Sequence, residues 1–168
     1  MIVISEAKRY RATSLCVIWK IDSILLEQFP KEDGVTTFRP IGGTIEYGED
    51  SMSTVIREVK EEIDQDIIDP KLLGIIENIF PYYGEIGHDF DFIYEARFAQ
   101  EEAYNNELFH GNENGSSFIA VWKKLSDLRD NPIYKLVPDG LHELLLNEEK
   151  SECVNNIKHI ITKDILGF

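Results

Sequence analysis

The sequence has few cysteines and no long apolar run. Cys16 and Cys153 are the two cysteines among 168 residues, and neither belongs to a Cys-x-x-Cys pair. This usage argues against a disulfide framework or a structural zinc site and favours a reducing, cytoplasmic location. Because no stretch reaches about 18 apolar residues, we expect no transmembrane helix and no membrane partner. The first 14 residues also lack the pattern of a signal peptide.

Basic residues are scarce as well. The chain has 17 Lys and Arg against 31 Asp and Glu, which gives a formal net charge of −14. No Lys/Arg stripe is present, so we expect no long nucleic acid partner. A small phosphorylated substrate remains compatible with the charge, because divalent cations held by carboxylates invert the local field. Solubility accounts for most of the acidity.

Length and apolar patterning indicate one domain that is rich in strands. The predicted strands are residues 15–19 and 23–28, which form a hairpin, and residues 36–39, 71–80, 88–98 and 118–122. Residues 40–50, 81–87 and 100–116 are predicted loops, and residues 139–146 a late helix. We therefore expect an α+β fold, an α/β/α sandwich with a mixed sheet between helices.

One strong helix is predicted after the glycine-rich loop, with Asp50 as N-cap and Asp64 at its end. Its apolar residues recur at helical spacing and predict one stripe that faces the core. The stripe consists of Met52, Val55, Ile56, Val59 and Ile63.

Three carboxylates share another face of this helix, because Glu58, Glu61 and Glu62 are spaced at i, i+3 and i+4. Like charges at this spacing weaken an isolated helix. A divalent cation would offset the repulsion, and Mg²⁺ binds carboxylate and phosphate oxygens together. Acidic helix faces are usually only solvated, so the three residues alone do not decide between these interpretations.

The spacing of these residue types over a longer stretch, from Gly43 to Glu62, distinguishes a cation site from a merely solvated acidic face. Five residues separate Gly43 from Glu49, seven more lead to Arg57-Glu58, and Glu61-Glu62 follow after two. Six positions match such a pattern by chance in roughly one of 10⁵ chains of this length. The stretch resembles the signature of the Nudix hydrolase family, in its MutT-like and ADP-ribose pyrophosphatase-like branch. Two positions depart from it: Asp64 replaces a glycine and Gln65 an apolar residue.

The likeness extends over about residues 11–147, within the usual size of a domain. Residues 39–43 resemble the family's approach to the signature, with Ile41 before the glycine pair. Residues 77–80 and 88–90 resemble its downstream strands, and residues 113–115 with Trp122 its late loop and closing strand. We therefore expect a Nudix domain in residues 1–149 and a C-terminal extension in residues 150–168. The apolar residues Ile157, Ile160, Ile161 and Ile165 predict a helix in this extension, packed on the domain or on a second subunit.

The resemblance implies roles for the residues of the signature. Glu58, Glu61 and Glu62 would bind Mg²⁺, with Mn²⁺ as a possible substitute. The carbonyl of Gly42 would be a further ligand. Glu49 would lie near the metal or brace the loop. Arg57 would orient Glu58, which could instead act as the base.

Other positions are candidates with competing interpretations. Glu113 is the candidate for a base from the late loop, with Glu101, Glu102 and Glu107 as rivals. Gly42 and Gly43 would let the backbone approach the phosphates. Arg39 is either a phosphate contact or a surface ion pair. Tyr82 and Tyr83 would either stack on a base or pack in their loop.

The expected activity is Mg²⁺-dependent hydrolysis of a diphosphate bond in a nucleoside diphosphate linked to another group. The alternatives are a catalytically silent nucleotide-binding module and an interaction protein with an acidic helix. The complete Arg-Glu and Glu-Glu set argues against the silent module, and the loop spacing argues against the interaction protein. A homodimer is a further expectation from the family, whereas the residues leave the substrate open.

Overall fold

A computed structural model describes residues 10–148 and 158–163. The helices are α1 (Ser51–Ile63), α2 (Leu125–Asp130) and α3 (Leu141–Glu148), with a 3₁₀ helix at Glu101–Asn105. The strands are β1 (Arg11–Lys20), β2 (Ser23–Gln28), β3 (Thr36–Thr44), β4 (Ile67–Tyr82), β5 (Glu85–Phe98), β6 (Leu108–Glu113), β7 (Ser116–Lys124), β8 (Tyr134–Leu136) and β9 (Lys158–Lys163). In these two ranges, no helix has the length and apolar character needed to cross a membrane.

The strands form one mixed sheet. Its order is β6-β7-β2-β3-β1-β5-β4-β9, and β8 pairs with β3. Strand β1 is antiparallel to β3 but parallel to β5. The predicted hairpin of β1 and β2 is confirmed, with Trp19 opposite Ile24. Because β1 joins β3 to β5, it brings the chain that precedes α1 close to the long β4–β5 hairpin.

Apolar layers cover both faces of the sheet. On one face, Val55, Val59 and Ile63 of α1 pack with Cys16 and Phe98 in one core cluster. On the other face, the core cluster contains Leu141, Leu144 and Leu145 of α3 together with Val17 and Ile93. Helices on opposite faces of a mixed sheet confirm the predicted α/β/α sandwich.

Both ends of α1 are capped by the predicted residues. Asp50 has extended backbone angles, and its Oδ1 accepts a hydrogen bond of 2.9 Å from the backbone N–H of Ser53. At the other end, Asp64 adopts φ 52° and ψ 40°, and its N–H donates to the carbonyl of Lys60. Asp tolerates this left-handed conformation better than most residues, so the helix ends without the family's glycine.

The predicted apolar stripe of α1 is only partly correct. Met52 and Ile56 are 44% and 41% exposed, whereas Thr54 and Glu62 are buried beside Val55 and Val59. The buried face of the helix is therefore turned toward its acidic side. This rotation places Glu62 beneath the helix, where α1 contacts β3 and β6.

Two predicted loops contain regular structure. Strand β3 continues through Pro40 to Thr44, because Leu26 pairs with Pro40 and Leu15 with Gly42 across the sheet. The region 100–116 contains the 3₁₀ helix and β6, and Asn114-Gly115 closes the β6–β7 hairpin with φ of 49° and 84°. Asn-Gly is the strongest short hairpin signal in a sequence, so this turn was predictable.

The β4–β5 hairpin is longer than predicted. Strand β4 includes Pro70, beside Asp69 with φ 54° and a register irregularity between Ile68 and Lys71. Proline is tolerated at such irregular positions of a strand. At the other end, β4 extends to Tyr82, and the turn narrows to Tyr83-Gly84.

The prediction of a C-terminal helix is wrong for residues 158–163. These residues form β9, which runs parallel to β4 with Ile76 opposite Ile160. Ile160 packs against the α3 core cluster while Ile161 is exposed, and this alternation is the two-residue period of a strand. Ile157 and Ile165 lie outside the described residues. The boundary at residue 149 stays a prediction.

Candidate active site

Arg57 lies among three of the predicted carboxylates. Its Nε and Nη2 donate to the two oxygens of Glu49, each over 2.9 Å. Its Nη1 donates to Glu58 over 2.9 Å and to Glu61 over 3.0 Å. These charge-assisted bonds lower the pKa of Glu49 to about 2 and raise the pKa of Arg57. The guanidinium therefore holds the loop before α1 and the acidic face of α1 in one arrangement.

Glu49 braces the loop that leads into α1. Besides the pair with Arg57, its Oε2 accepts a hydrogen bond of 2.8 Å from the hydroxyl of Thr54 and one of 3.4 Å from the backbone N–H of Glu46. Both oxygens are thus engaged within the loop and helix. Of the two roles predicted for Glu49, this geometry favours the structural one.

Glu62 is a buried carboxylate with one oxygen unpaired. The residue is 4% exposed, and its Oε2 accepts a hydrogen bond of 3.1 Å from the backbone N–H of Gly42. No residue of the described chain donates to its Oε1. Burial raises the pKa of Glu62 to about 8, with the charges of Glu113 and Glu58 adding to the shift and Arg39 opposing it. Such a group is costly to bury unless a cation neutralises it.

The two glycines before the loop are packed closely on both sides. A Cβ on Gly43 would lie 2.7 Å from the carboxylate of Glu58, and one on Gly42 would lie 2.1 Å from the carbonyl oxygen of Ser14. Gly42 also has φ +143°, which L-residues rarely adopt. Gly42 therefore lets β3 lie against β1, and Gly43 leaves room for the Glu58 side chain.

Replacing Gly42 with alanine is expected to destabilise the fold by at least ~2 kcal/mol, since backbone strain adds to a clash with the β1 backbone. Gly34→Ala is the matched control, because Gly34 has φ +84° but open space around its Cβ position. Denaturant unfolding of both variants measures the difference. Equal losses in the two proteins would contradict the close packing at Gly42.

A cleft of about 530 Å³ opens over the acidic face of α1. One side consists of Gly43, Glu58, Glu61 and Glu62, and the other of residues from the β6–β7 hairpin, including Asn112, Glu113 and Gly115. We call this the acidic cleft. Among the candidates for a base from the late region, Glu113 lines it, whereas Glu101 and Glu102 lie on the 3₁₀ helix and Glu107 precedes β6.

Arg39 lies beside Glu113, a residue of the acidic cleft. Its Nη2 donates to Glu27 Oε2 over 2.9 Å and lies 3.6 Å from Glu113 Oε2. The ion pair predicted as one alternative for Arg39 therefore forms, but the Arg39 side chain is 19% exposed and that of Glu27 only 6%, so the pair lies below the surface. Nothing in the sequence around Glu27 indicated the contact, because Glu27 meets Arg39 only through the pairing of β2 with β3.

The donor set fits a hard divalent cation. As they stand, no three carboxylate, histidine or cysteine side chains in residues 10–148 and 158–163 form a ready ion site. Arg57 takes one oxygen of Glu58 and one of Glu61, which leaves the second oxygen of each for an ion. Together with the unpaired Glu62 Oε1, these are oxygen ligands of the kind that Mg²⁺ prefers.

The structure does not bring the two candidate tyrosines to this cleft. Tyr82 and Tyr83 lie at the tip of the β4–β5 hairpin, where they are 59% and 91% exposed and contact each other edge to face. Their role in stacking on a base stays a prediction. His88, in the same hairpin, is hydrogen-bonded to Glu77 over 2.9 Å.

The fold and the cleft define a class of protein: an enzyme with a mixed sheet between helices and a carboxylate-bearing helix that follows a glycine-rich loop. The sequence model of the NUDIX domain matches residues 9–140. The chain belongs to the Nudix family and is a Nudix hydrolase. Members of this family hydrolyse the diphosphate bond of nucleoside diphosphate derivatives, generally with a divalent metal.

Solved structures share the fold at low sequence identity. A MutT Nudix hydrolase from Burkholderia pseudomallei is 22% identical, with a TM-score of 0.59 over 83% of this chain and 98% of that one. An ADP-ribose pyrophosphatase from Streptococcus suis is 18% identical, with a TM-score of 0.56 over 90% and 98%. A MutT protein from Methanosarcina mazei is 14% identical, with a TM-score of 0.60 over 88% and 100%. No curated protein matches the sequence.

Proposed function

We propose that this enzyme hydrolyses, with Mg²⁺, a diphosphate bond in a small nucleoside diphosphate linked to another group. The observation that carries the proposal is the buried Glu62 carboxylate, whose Oε1 lacks a partner at the acidic cleft beside Glu58 and Glu113. A buried anion is retained against its cost where a cation can neutralise it. When bound, Mg²⁺ polarises phosphoryl oxygens and lowers the pKa of water.

The residues of the cleft divide the remaining work. Glu58, Glu61 and Glu62 hold the ion, and the Gly42 carbonyl is a candidate for a further ligand. Arg57 orients Glu58 and Glu61 through the bonds from its Nη1. Arg39 suits a phosphate contact, because its buried Nε has no hydrogen-bond partner among the described residues. Glu113 or Glu58 takes the proton from the attacking water.

Metal removal tests this function. We expect purified protein to release phosphate or a monophosphate from at least one of ADP-ribose, nucleoside triphosphates and dinucleoside polyphosphates in Mg²⁺. Excess EDTA should abolish the release, and Mn²⁺ should restore part of it. Saturable binding of a panel member without cleavage in either ion would instead support the silent nucleotide-binding module.

Two further expectations accompany this proposal. The cysteine usage favours the cytoplasm, and family likeness favours a homodimer. Cell fractionation and light scattering, respectively, measure these properties.

A further inference from the structure

A second cavity, of about 250 Å³, lies on the α3 side of the sheet. We call it the side cavity. Thr13 of β1, Asn78 of β4 and Asp91 of β5 contribute to one wall, and Val137 and Pro138, which follow β8, contribute to another. Arg39 also lines it, while its Nη2 lies 3.6 Å from Glu113 in the acidic cleft. Arg39 is therefore part of the wall of the side cavity and contacts Glu113, a residue of the acidic cleft.

Electrostatic contacts agree with this position of Arg39. Burial raises the pKa of Asp91 in the side cavity, and the positive charge of Arg39 opposes that rise. A substrate whose phosphates extend from the acidic cleft to Arg39 would have its remaining part directed toward the side cavity.

The wall of the side cavity carries acidic groups that are already oriented. Arg11 donates to both carboxylate oxygens of Asp89, from Nε over 3.2 Å and from Nη2 over 2.5 Å. The two residues are also opposite each other in the pairing of β1 with β5. Asp91, 5% exposed, accepts a hydrogen bond from the hydroxyl of Thr13 at its Oδ1, which leaves Oδ2 as the acceptor for a ligand. Burial raises the pKa of Asp91 to about 6, so the carboxylate is ionised above that pH.

Asn78 supplies the complementary group. The hydroxyl of Thr162 in β9 donates to Asn78 Oδ1 over 2.9 Å, and this bond leaves the amide NH₂ as the free donor. Strand β9 also supports the chain that leads from Pro138 into α3, because a Cβ on Gly140 would lie 3.1 Å from Ile160 and Thr162. The family match ends at residue 140, so this support comes from a strand outside it.

The cavity therefore offers a carboxylate acceptor and an amide donor, with apolar side chains of Phe80, Val137 and Pro138 around them. Three carboxylates, Asp89, Asp91 and Asp139, line the cavity together with three basic side chains, Arg11, Arg39 and Lys135, so its net charge does not favour an anion. The volume is below the roughly 300–1,000 Å³ of sites that hold a whole drug-sized ligand, so a single ring fits better. Adenine and cytosine each present an amino donor next to an unprotonated ring nitrogen, and Asp and Asn are side chains that recognise such edges.

We propose that the side cavity binds an amino-bearing nucleobase of the adenine or cytosine type, with Asp91 accepting from its amino group and Asn78 donating to the adjacent ring nitrogen. This assignment rests on the proposed function, because it names the group attached to the diphosphate. Thr162 acts as a positioning residue that holds the Asn78 amide.

Binding of nucleoside monophosphates tests the proposal without any cleavage. AMP and IMP, and likewise CMP and UMP, differ by exchange of the amino group for an oxygen, which inverts the pattern of donor and acceptor. Calorimetric titration at a pH well above 6 should show at least one amino-bearing member binding roughly tenfold or more tightly than its counterpart. No saturable binding of any of the four, or equal binding within both pairs, would overturn the proposal.

Single substitutions test whether the side cavity causes this preference for amino-bearing nucleotides. Asp91→Asn should reduce it severalfold, whereas Asp130→Asn, which alters an exposed carboxylate on α2, should leave it unchanged. Thr162→Val should weaken binding of the amino-bearing member, and Thr162→Ser should preserve it. The Thr162 pair also serves as the test if Asp91→Asn does not fold. Undiminished preference in both Asp91→Asn and Thr162→Val would exclude the side cavity.

The two proposals fail separately. A base preference that depends on Asp91, in a protein that cleaves no diphosphate, would overturn the activity and keep the side cavity. Mg²⁺-dependent cleavage without any base preference would keep the activity and overturn the proposal for the side cavity.

Discussion

Glu62→Gln is expected to lower Mg²⁺-dependent turnover by more than about 100-fold, which exceeds the usual cost of losing an outer-shell contact. The amide keeps the size of the side chain and can still accept the hydrogen bond from Gly42 N–H. It lacks the negative charge that a hard cation needs, so the expected loss is in turnover and metal affinity. Steady-state kinetics over a range of Mg²⁺ concentrations measure both.

The same substitution should leave stability unchanged or raise it. Glu62 is buried with one oxygen unpaired, and replacing such a charge by a neutral isostere removes a desolvation cost. Because the folded-state pKa of about 8 lies above the ordinary 4.5, the folded protein retains a proton that the unfolded chain releases. In EDTA, the wild type should therefore lose stability from pH 4.5 to about 8 relative to the variant.

Glu143→Gln is the control for this experiment, since Glu143 is an exposed residue of α3 on the opposite face of the sheet. It should alter neither turnover nor the pH dependence of unfolding. Full activity of Glu62→Gln would remove Glu62 from the metal site. An unfolded Glu62→Gln protein would show instead that the carboxylate is structural.

The parts of the site that were predictable from sequence are those that depend on neighbours along the chain. The caps of α1 at Asp50 and Asp64 follow from local backbone preferences. The clustering of Glu58, Glu61 and Glu62 follows from the geometry of one helix. The chemistry of the acidic cleft was therefore accessible, although the degree of burial of Glu62 was not.

The remaining features depend on pairing between distant strands. Glu27 meets Arg39 only through β2–β3 pairing, and Asp91 lies beside Thr13 only through the parallel pairing of β1 with β5. No local pattern specifies such a register. The apolar residues of the C-terminal extension illustrate the same limit, because spacing alone did not separate a helix from the strand that pairs with β4.

Arg57→Lys is expected to lower turnover by roughly 10–100-fold, the range typical for groups that orient metal ligands. Lysine keeps the positive charge but not the planar fork, so it cannot bond both oxygens of Glu49 and also Glu58 and Glu61. The loop before α1 and the acidic face should then lose their common arrangement. We expect weaker Mg²⁺ affinity in titrations as well as slower turnover.

Arg129→Lys is the control that shows whether the loss of any bidentate arginine–carboxylate pair lowers turnover. Arg129 also binds a carboxylate through two bonds, to Asp130, but both side chains are exposed at the surface. An exposed pair contributes about 1 kcal/mol or less, so that variant should retain activity and stability. If Arg57→Lys were equally silent, the charge alone would suffice to order the carboxylates. A loss confined to Arg57→Lys would instead show that the direction of its hydrogen bonds prepares the site for the cation.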